Sequence, residues 1–123
     1  MLEKVLFQDI GSYDKIDLLI KQFDLKVWVN HPRRMLVHYK TVAEKLNADG
    51  QTIYTAAGGN WGLACNALHL IDLFAFLSKS TVDEIDFSWV DPLLHQSKRP
   101  GYIEFTGTIK GGFKNGSKFL ITS

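Results

Sequence analysis

A single cysteine, Cys65, stands among 123 residues. The chain therefore builds neither an intrachain disulfide framework nor a multi-cysteine zinc site, and this usage fits a reducing, cytoplasmic setting. Excess charge is equally scarce: the formal net charge is +1, which leaves no clustered field to attract nucleic acid or an anionic membrane surface, and neither is expected as a partner. No apolar run qualifies as a membrane span, because the longest contains His69 and Asp72, and the first residues lack the long apolar core of a signal peptide. Internal repeats and low-complexity segments are missing. So is the G-x-G-x-x-G spacing of a dinucleotide loop. What is present, 46% hydrophobic and 22% charged residues, suffices for one globular core and is too short for two ordinary domains.

The stretch that organises the chain runs from Gly58 to Leu77. A glycine-rich turn, Gly58-Gly59-Asn60-Trp61-Gly62, opens into a run with few polar residues and no Pro, which predicts a helix buried on most sides and ending near Ser78-Lys79-Ser80. Leu63, Ala67, Leu70, Phe74 and Leu77 line one side of it. Trp61, Cys65, His69, Asp72 and Phe76 fall along another, so three polar groups form a stripe in an apolar element, where each needs a partner.

Around this helix the pattern alternates between helix and strand. Leu2 to Phe7 reads as a strand. Ser12 is the expected N-cap of a helix to about Phe23, with Asp14 in its first turn. Lys26 to Asn30 reads as a second strand, completing a strand-helix-strand unit suited to parallel pairing. Pro32 suits a helix start, and Arg33 to Leu46 are expected to follow as one helix, stopped by Asn47-Ala48-Asp49-Gly50. Thr52 to Ala57 predicts a strand. After the organising helix the chain turns to β: Ile85 to Val90, Tyr102 to Ile109 and Ser117 to Thr122 are expected strands in an antiparallel meander. Asn115-Gly116 marks a tight hairpin between the last two. Asp91 to Gly101 reads as an exposed, mobile connection. Both termini read as cuts through a sheet.

Several residues could carry chemistry. His69 is either a core histidine with one satisfied hydrogen bond or a proton acceptor for a substrate hydroxyl, oriented by a carboxylate such as Asp72. Asp72 is equally readable as a surface or capping carboxylate. Cys65, one turn earlier, allows thiolate or metal chemistry in principle, but His31, His38 and His95 lack ligand-like spacing to it, and no metal is expected. The glycine-led helix start can offer amides to an anion, although it reads mainly as a tight turn. Arg33 and Arg34 can grip an oxyanion or simply face solvent or an interdomain carboxylate. Lys4, beside apolar residues near a strand end, can polarise a carbonyl or stabilise an alkoxide.

Taken in order, three segments resemble the glucose-fructose oxidoreductase and inositol dehydrogenase family (Gfo/Idh/MocA) of NAD(P)-dependent sugar and polyol oxidoreductases. Leu2-Glu3-Lys4-Val5 resembles that family's Glu-Lys-Pro motif. Val29-Asn30-His31-Pro32-Arg33-Arg34-Met35 resembles the segment after its last Rossmann strand, and Gly58 to Asp72 resembles its glycine-led helix with histidine and following aspartate. Val5 stands where the family has Pro, and Cys65 where many members carry Asp. The resemblance implies that residues 1–31 are the C-terminal remnant of a dinucleotide-binding domain and 32–123 the first part of an α/β substrate and oligomerisation domain. It implies Lys4 and His69 as catalytic residues, Asn30, Arg34, Trp61 and Asp72 on the substrate, and Glu3 with Lys4 at the cofactor. The fold expected is α+β: a short strand-helix-strand remnant of a Rossmann sheet, then two helices and an antiparallel meander. The family's phosphate loop lies upstream of Glu3, so the chain is expected to be a fragment without turnover. NAD or NADP would serve the intact parent and not bind this chain alone, the substrate would be sugar-like, and copies would associate through the antiparallel sheet. The alternative is a non-catalytic α+β module that dimerises through an open sheet.

Overall fold

In the computed structural model, which describes residues 1–4, 6–7, 9–46 and 50–123, the first regular element begins at Asp9. Its backbone is extended (φ −131°, ψ 150°), and its carboxylate accepts from the Ser12 amide at 2.9 Å and the Ser12 hydroxyl at 2.6 Å. Helix α1 (Ile10–Gln22) follows. Ser12 is thus a donor to the cap rather than the cap itself, and Asp14 lies beyond the first turn, which holds no acidic residue. The two carboxylate oxygens of Asp9 accept from the Ser12 amide and hydroxyl at once, which places the cap at the earlier residue. These bonds to Ser12 hold the Asp9 carboxyl below its ordinary pKa of 3.8. Because the folded value is the lower one, the cap's contribution is complete above the ordinary value and is lost as pH falls through the depressed one. The Ser12 amide resonance should therefore titrate in acid, and Asp9→Ala should abolish that titration.

The chain forms two compact units, Met1–Pro32 and Arg33–Ser123. In the first unit, the strand expected over Lys26 to Asn30 is a single parallel bridge, Leu2 to Val29. The Leu2 amide donates to the Trp28 carbonyl and the Asn30 amide to the Leu2 carbonyl, each at 2.7 Å. The parallel sense is present, but one described residue pair does not make a ladder. Val5 lies outside the described residues, and the described remainder of Leu2 to Phe7 forms no strand. Among the described residues of this unit none is buried; Leu18, Phe23 and Trp28 are all exposed.

In the second unit the helix expected from Arg33 to Leu46 is broken. A 3-10 turn (Pro32–Met35) closes with the Leu36 amide on the Arg33 carbonyl, Leu36 swings to an extended conformation (φ −70°, ψ 133°), and α2 (Val37–Lys45) restarts on its carbonyl. The expected stop signal, Asn47 to Asp49, lies outside the described residues. The chain then runs β1 (Ile53–Ala57), α3 (Leu63–Ser78), β2 (Val82–Val90), β3 (His95–Gln96), β4 (Ile103–Glu104), β5 (Gly107–Phe113) and β6 (Lys118–Thr122). The main sheet has the order β1-β6-β5-β2, with β2, β5 and β6 antiparallel and β1 parallel to β6. The fold is α+β, and its sheet is mixed rather than purely antiparallel. The strand expected from Tyr102 to Ile109 is two strands: β4 pairs with β3 inside the segment read as a loop, and β5 pairs with β2.

The core forms between one face of this sheet and α3. Leu63, Ala67, Leu70, Leu73, Phe74 and Leu77 of the helix are buried, as are Tyr54, Ile109, Phe113, Phe119 and Ile121 of the strands. Tyr54 stacks on Phe74 with ring centres 5.2 Å apart, and Phe113 meets Phe119 at 5.4 Å. Strand alternation sends Ile53, Thr55, Lys118 and Trp89 to the other face, where all four are exposed. The Asn115-Gly116 hairpin is a short loop closed by the Phe113 amide on the Ser117 carbonyl and the Gly116 amide on the Phe113 carbonyl, each at 2.8 Å. Gly116 sits at φ +84°, the left-handed conformation that glycine adopts without strain. Asn115 also reaches α3, donating from Nδ2 to the Ser78 carbonyl at 2.9 Å and from its amide to Ser80 Oγ at 3.2 Å.

Candidate functional site

The first group of candidate residues gathers at the parallel bridge of the N-terminal unit. Just beyond Leu2, the Glu3 carboxylate accepts from Asn30 Nδ2 at 2.7 Å, so the Glu-Lys segment and the Asn-His-Pro segment are tied side chain to side chain. Lys4 follows directly and is half-buried. Glu3, Lys4 and Asn30 thus all follow the bridged residues, at the carboxyl ends of two parallel backbones.

The second group lies on α3. Gly62 is its N-cap (φ +80°) and brings no capping side chain. The missing acceptor comes from β4 instead: Glu104 Oε1 accepts from the Ala64 amide at 2.6 Å and from its neighbour's amide, Phe105, at 3.2 Å. Negative charge at a helix N-terminus is favourable, so the place where an exogenous anion was conceivable already holds the protein's own carboxylate. Asn66 steadies the turn by donating to the Trp61 and Gly62 carbonyls. Trp61 uses its indole N–H on the Thr122 carbonyl at 3.0 Å and its amide on Ser123 Oγ at 3.3 Å. Those bonds pin the glycine-rich turn to the end of β6, and the half-buried Trp61 packs against the core.

Along the polar side of α3, Cys65 is exposed, His69 is half-buried, and the Asp72 side chain retains 16% of its exposure. This side is therefore more open than the sequence pattern predicts. Arg34, from the 3-10 turn, meets Asp72 in a bidentate pair: Nε donates to Oδ2 at 2.8 Å and Nη2 to Oδ1, while Nη2 also lies 3.4 Å from the Asp72 carbonyl. The guanidinium sits 5.7 Å from the Phe76 ring centre. Two residues assigned separately to substrate are thus brought together and neutralise each other.

Among the described residues, no group of three or more His, Cys, Asp or Glu is placed to hold a metal, and no helix is long and apolar enough to cross a membrane. At the starts of α1 and α3 one amide each, that of Ser12 and that of Ala64, already meets the protein's own carboxylate, Asp9 or Glu104. Glu104 is the residue that sequence reasoning missed. The only signal was indirect: a helix led by Gly62 must find an acceptor elsewhere, but nothing local says where.

No family model matches the chain, and no curated protein matches it.

Proposed function

We propose that the chain supplies substrate-side residues of a nicotinamide-dependent oxidoreductase acting on a sugar- or polyol-like hydroxyl or carbonyl. The observation that carries this reading is the Glu3–Asn30 bond beyond the Leu2–Val29 bridge, because ligands of parallel α/β sheets bind outside the carboxyl ends of the strands. The Lys4 ammonium is suited to donate to a substrate oxygen as negative charge builds on it. The His69 imidazole is suited to accept a hydroxyl proton near neutral pH. Asn30 is suited to hydrogen-bond a substrate hydroxyl, and in the second unit Arg34 and Asp72 serve by fixing α3. The isolated chain is expected to turn nothing over.

The test is a titration of the 123-residue chain with glucose and myo-inositol, followed by NMR, alongside NADH and NADPH calorimetry. Polyol should move the Lys4, Asn30 and His69 signals, Lys4→Ala and His69→Ala should each weaken the response, and neither cofactor should give saturable heat. Signals that stay still at every polyol concentration would sink the substrate reading. Saturable NADH binding would sink the expectation that the chain alone holds no cofactor.

A second reading, self-association through the sheet, is favoured by the exposed Ile53 and Trp89 on the outer face. Asp83, Glu84 and Asp86 on edge strand β2 discourage strand-to-strand pairing at that edge, and the exposed outer face offers a second copy an apolar seat. Sedimentation at two concentrations separates the cases, and a strictly monomeric chain removes this one.

A further inference from the structure

Where α3 ends and β2 begins, a basin of about 590 Å³ is lined by Arg34, Phe76, Lys79, Ser80, Thr81 and Val82, among others. Helix C-termini ordinarily repel anions through their free carbonyls. Here three of the last four, those of Ala75, Phe76 and Ser78, are engaged. Lys79 turns into the left-handed conformation (φ 51°, ψ 35°) and its amide meets the Ala75 and Phe76 carbonyls, the Ser80 amide takes Ala75 as well, and Asn115 takes Ser78.

Lys79 gives the basin its positive charge, and donors from Arg34 and Ser80 join it. Arg34 uses Nε and Nη2 on Asp72, which leaves its Nη1 edge for another acceptor. Lys79 is exposed. Ser80 Oγ accepts from the Asn115 amide, so its own O–H remains a donor. Among the described residues no carboxylate lines the basin, whereas Phe76 and Val82 give it an apolar floor. Its volume is that of a small-molecule site, which ranges over about 300–1,000 Å³.

We propose that this basin binds a small organic anion: a carboxylate or phosphate carried on a planar or apolar body. The oxyanion lies against Lys79, the Arg34 Nη1 edge and the Ser80 and Thr81 hydroxyls, and the body lies on Phe76 and Val82. Binding here does not depend on the oxidoreductase reading, since Lys4 and His69 take no part in it.

The probes are phenyl phosphate, benzoate, inorganic phosphate and neutral phenol, titrated into the full chain and followed at the backbone amides of Phe76 to Val82. Phenyl phosphate or benzoate should saturate those signals, and whichever binds more tightly identifies the anionic group. Inorganic phosphate should bind more weakly, lacking the ring, and phenol should not saturate. Lys79→Asn keeps the left-handed turn and should weaken the aryl anion roughly tenfold, the loss of one charge-assisted contact. Phe76→Leu should narrow the preference for aryl over inorganic phosphate. Absence of saturation with either aryl anion, an affinity that Lys79→Asn leaves unchanged, or phenol binding as tightly as phenyl phosphate overturns the proposal.

Discussion

Phe119→Ala is expected to destabilise the chain by about 3–5 kcal/mol, the range for truncating a buried aromatic. Phe119 is fully buried in the middle of the sheet, on β6 between β1 and β5. It pairs across the ladder with Gly111, and the absent side chain there is what makes room for the ring: a Cβ at Gly111 would lie 2.5 Å from Phe119 Cζ and would also strike the Glu84 carbonyl. Removing the ring leaves a void that a glycine cannot fill and that the neighbouring Phe113 fills only by leaving its contact with Tyr54. Against a typical total stability of about 5–15 kcal/mol, such a loss brings the chain near its unfolding threshold at ambient temperature. Denaturant titration should show the midpoint fall, with Ile121→Val as a milder control at about 0.5–1.5 kcal/mol. A loss below about 1 kcal/mol would mean that this face of the sheet is not the packed core described. The double change Gly111→Ala with Phe119→Ala should not recover stability, because the added methyl still meets the Glu84 backbone after the ring is gone.

That core was largely visible in the residue order. Leu63, Ala67, Leu70, Phe74 and Leu77 recur at helical spacing, and all five are buried; the Asn115-Gly116 turn was readable for the same reason, since both signals are local and periodic. What escaped was set by partners distant in sequence. Nothing around Ile53 announces that it will lie parallel to Lys118, yet that pairing makes the sheet mixed. The alternation from Tyr102 to Ile109 is a fair strand pattern, but it does not reveal that the chain changes sheets between Glu104 and Gly107. Likewise the apolar spacing from Met35 to Leu46 describes a helix well, while the break at Leu36 is recorded only in backbone angles. Site residues followed the same division. Arg34 and Asp72 stood out as an oxyanion grip and a stripe carboxylate, each with the right chemistry. That they answer one another required the fold to bring positions 38 residues apart into contact.

Arg34→Ala is expected to be the most damaging change at the candidate site, costing about 2–3 kcal/mol. The reason is less the loss of attraction than the state of the carboxylate left behind: Asp72 is largely shielded, and a shielded charge without its partner carries most of its desolvation cost. Arg34 itself is 40% exposed, so solvent moderates the effect below the ~3–5 kcal/mol typical of fully buried pairs. Arg34→Lys should recover only part of the loss, because a point charge cannot reproduce the two parallel bonds to Oδ1 and Oδ2. Arg34→Leu combined with Asp72→Asn should be milder than Arg34→Ala alone, since no unpaired charge remains. A double-mutant cycle measured by denaturant unfolding checks this directly: coupling near zero would reduce the pair to a surface contact. Strong coupling would instead make the 3-10 turn and the middle of α3 one mechanical unit. The register of His69, one turn before Asp72 on the same helix, would then depend on Arg34 even though Arg34 touches no substrate. Under that dependence, Arg34→Ala should broaden the His69 resonance as well as lower the unfolding midpoint, whereas a remote core change of equal cost such as Ile121→Ala should lower the midpoint alone.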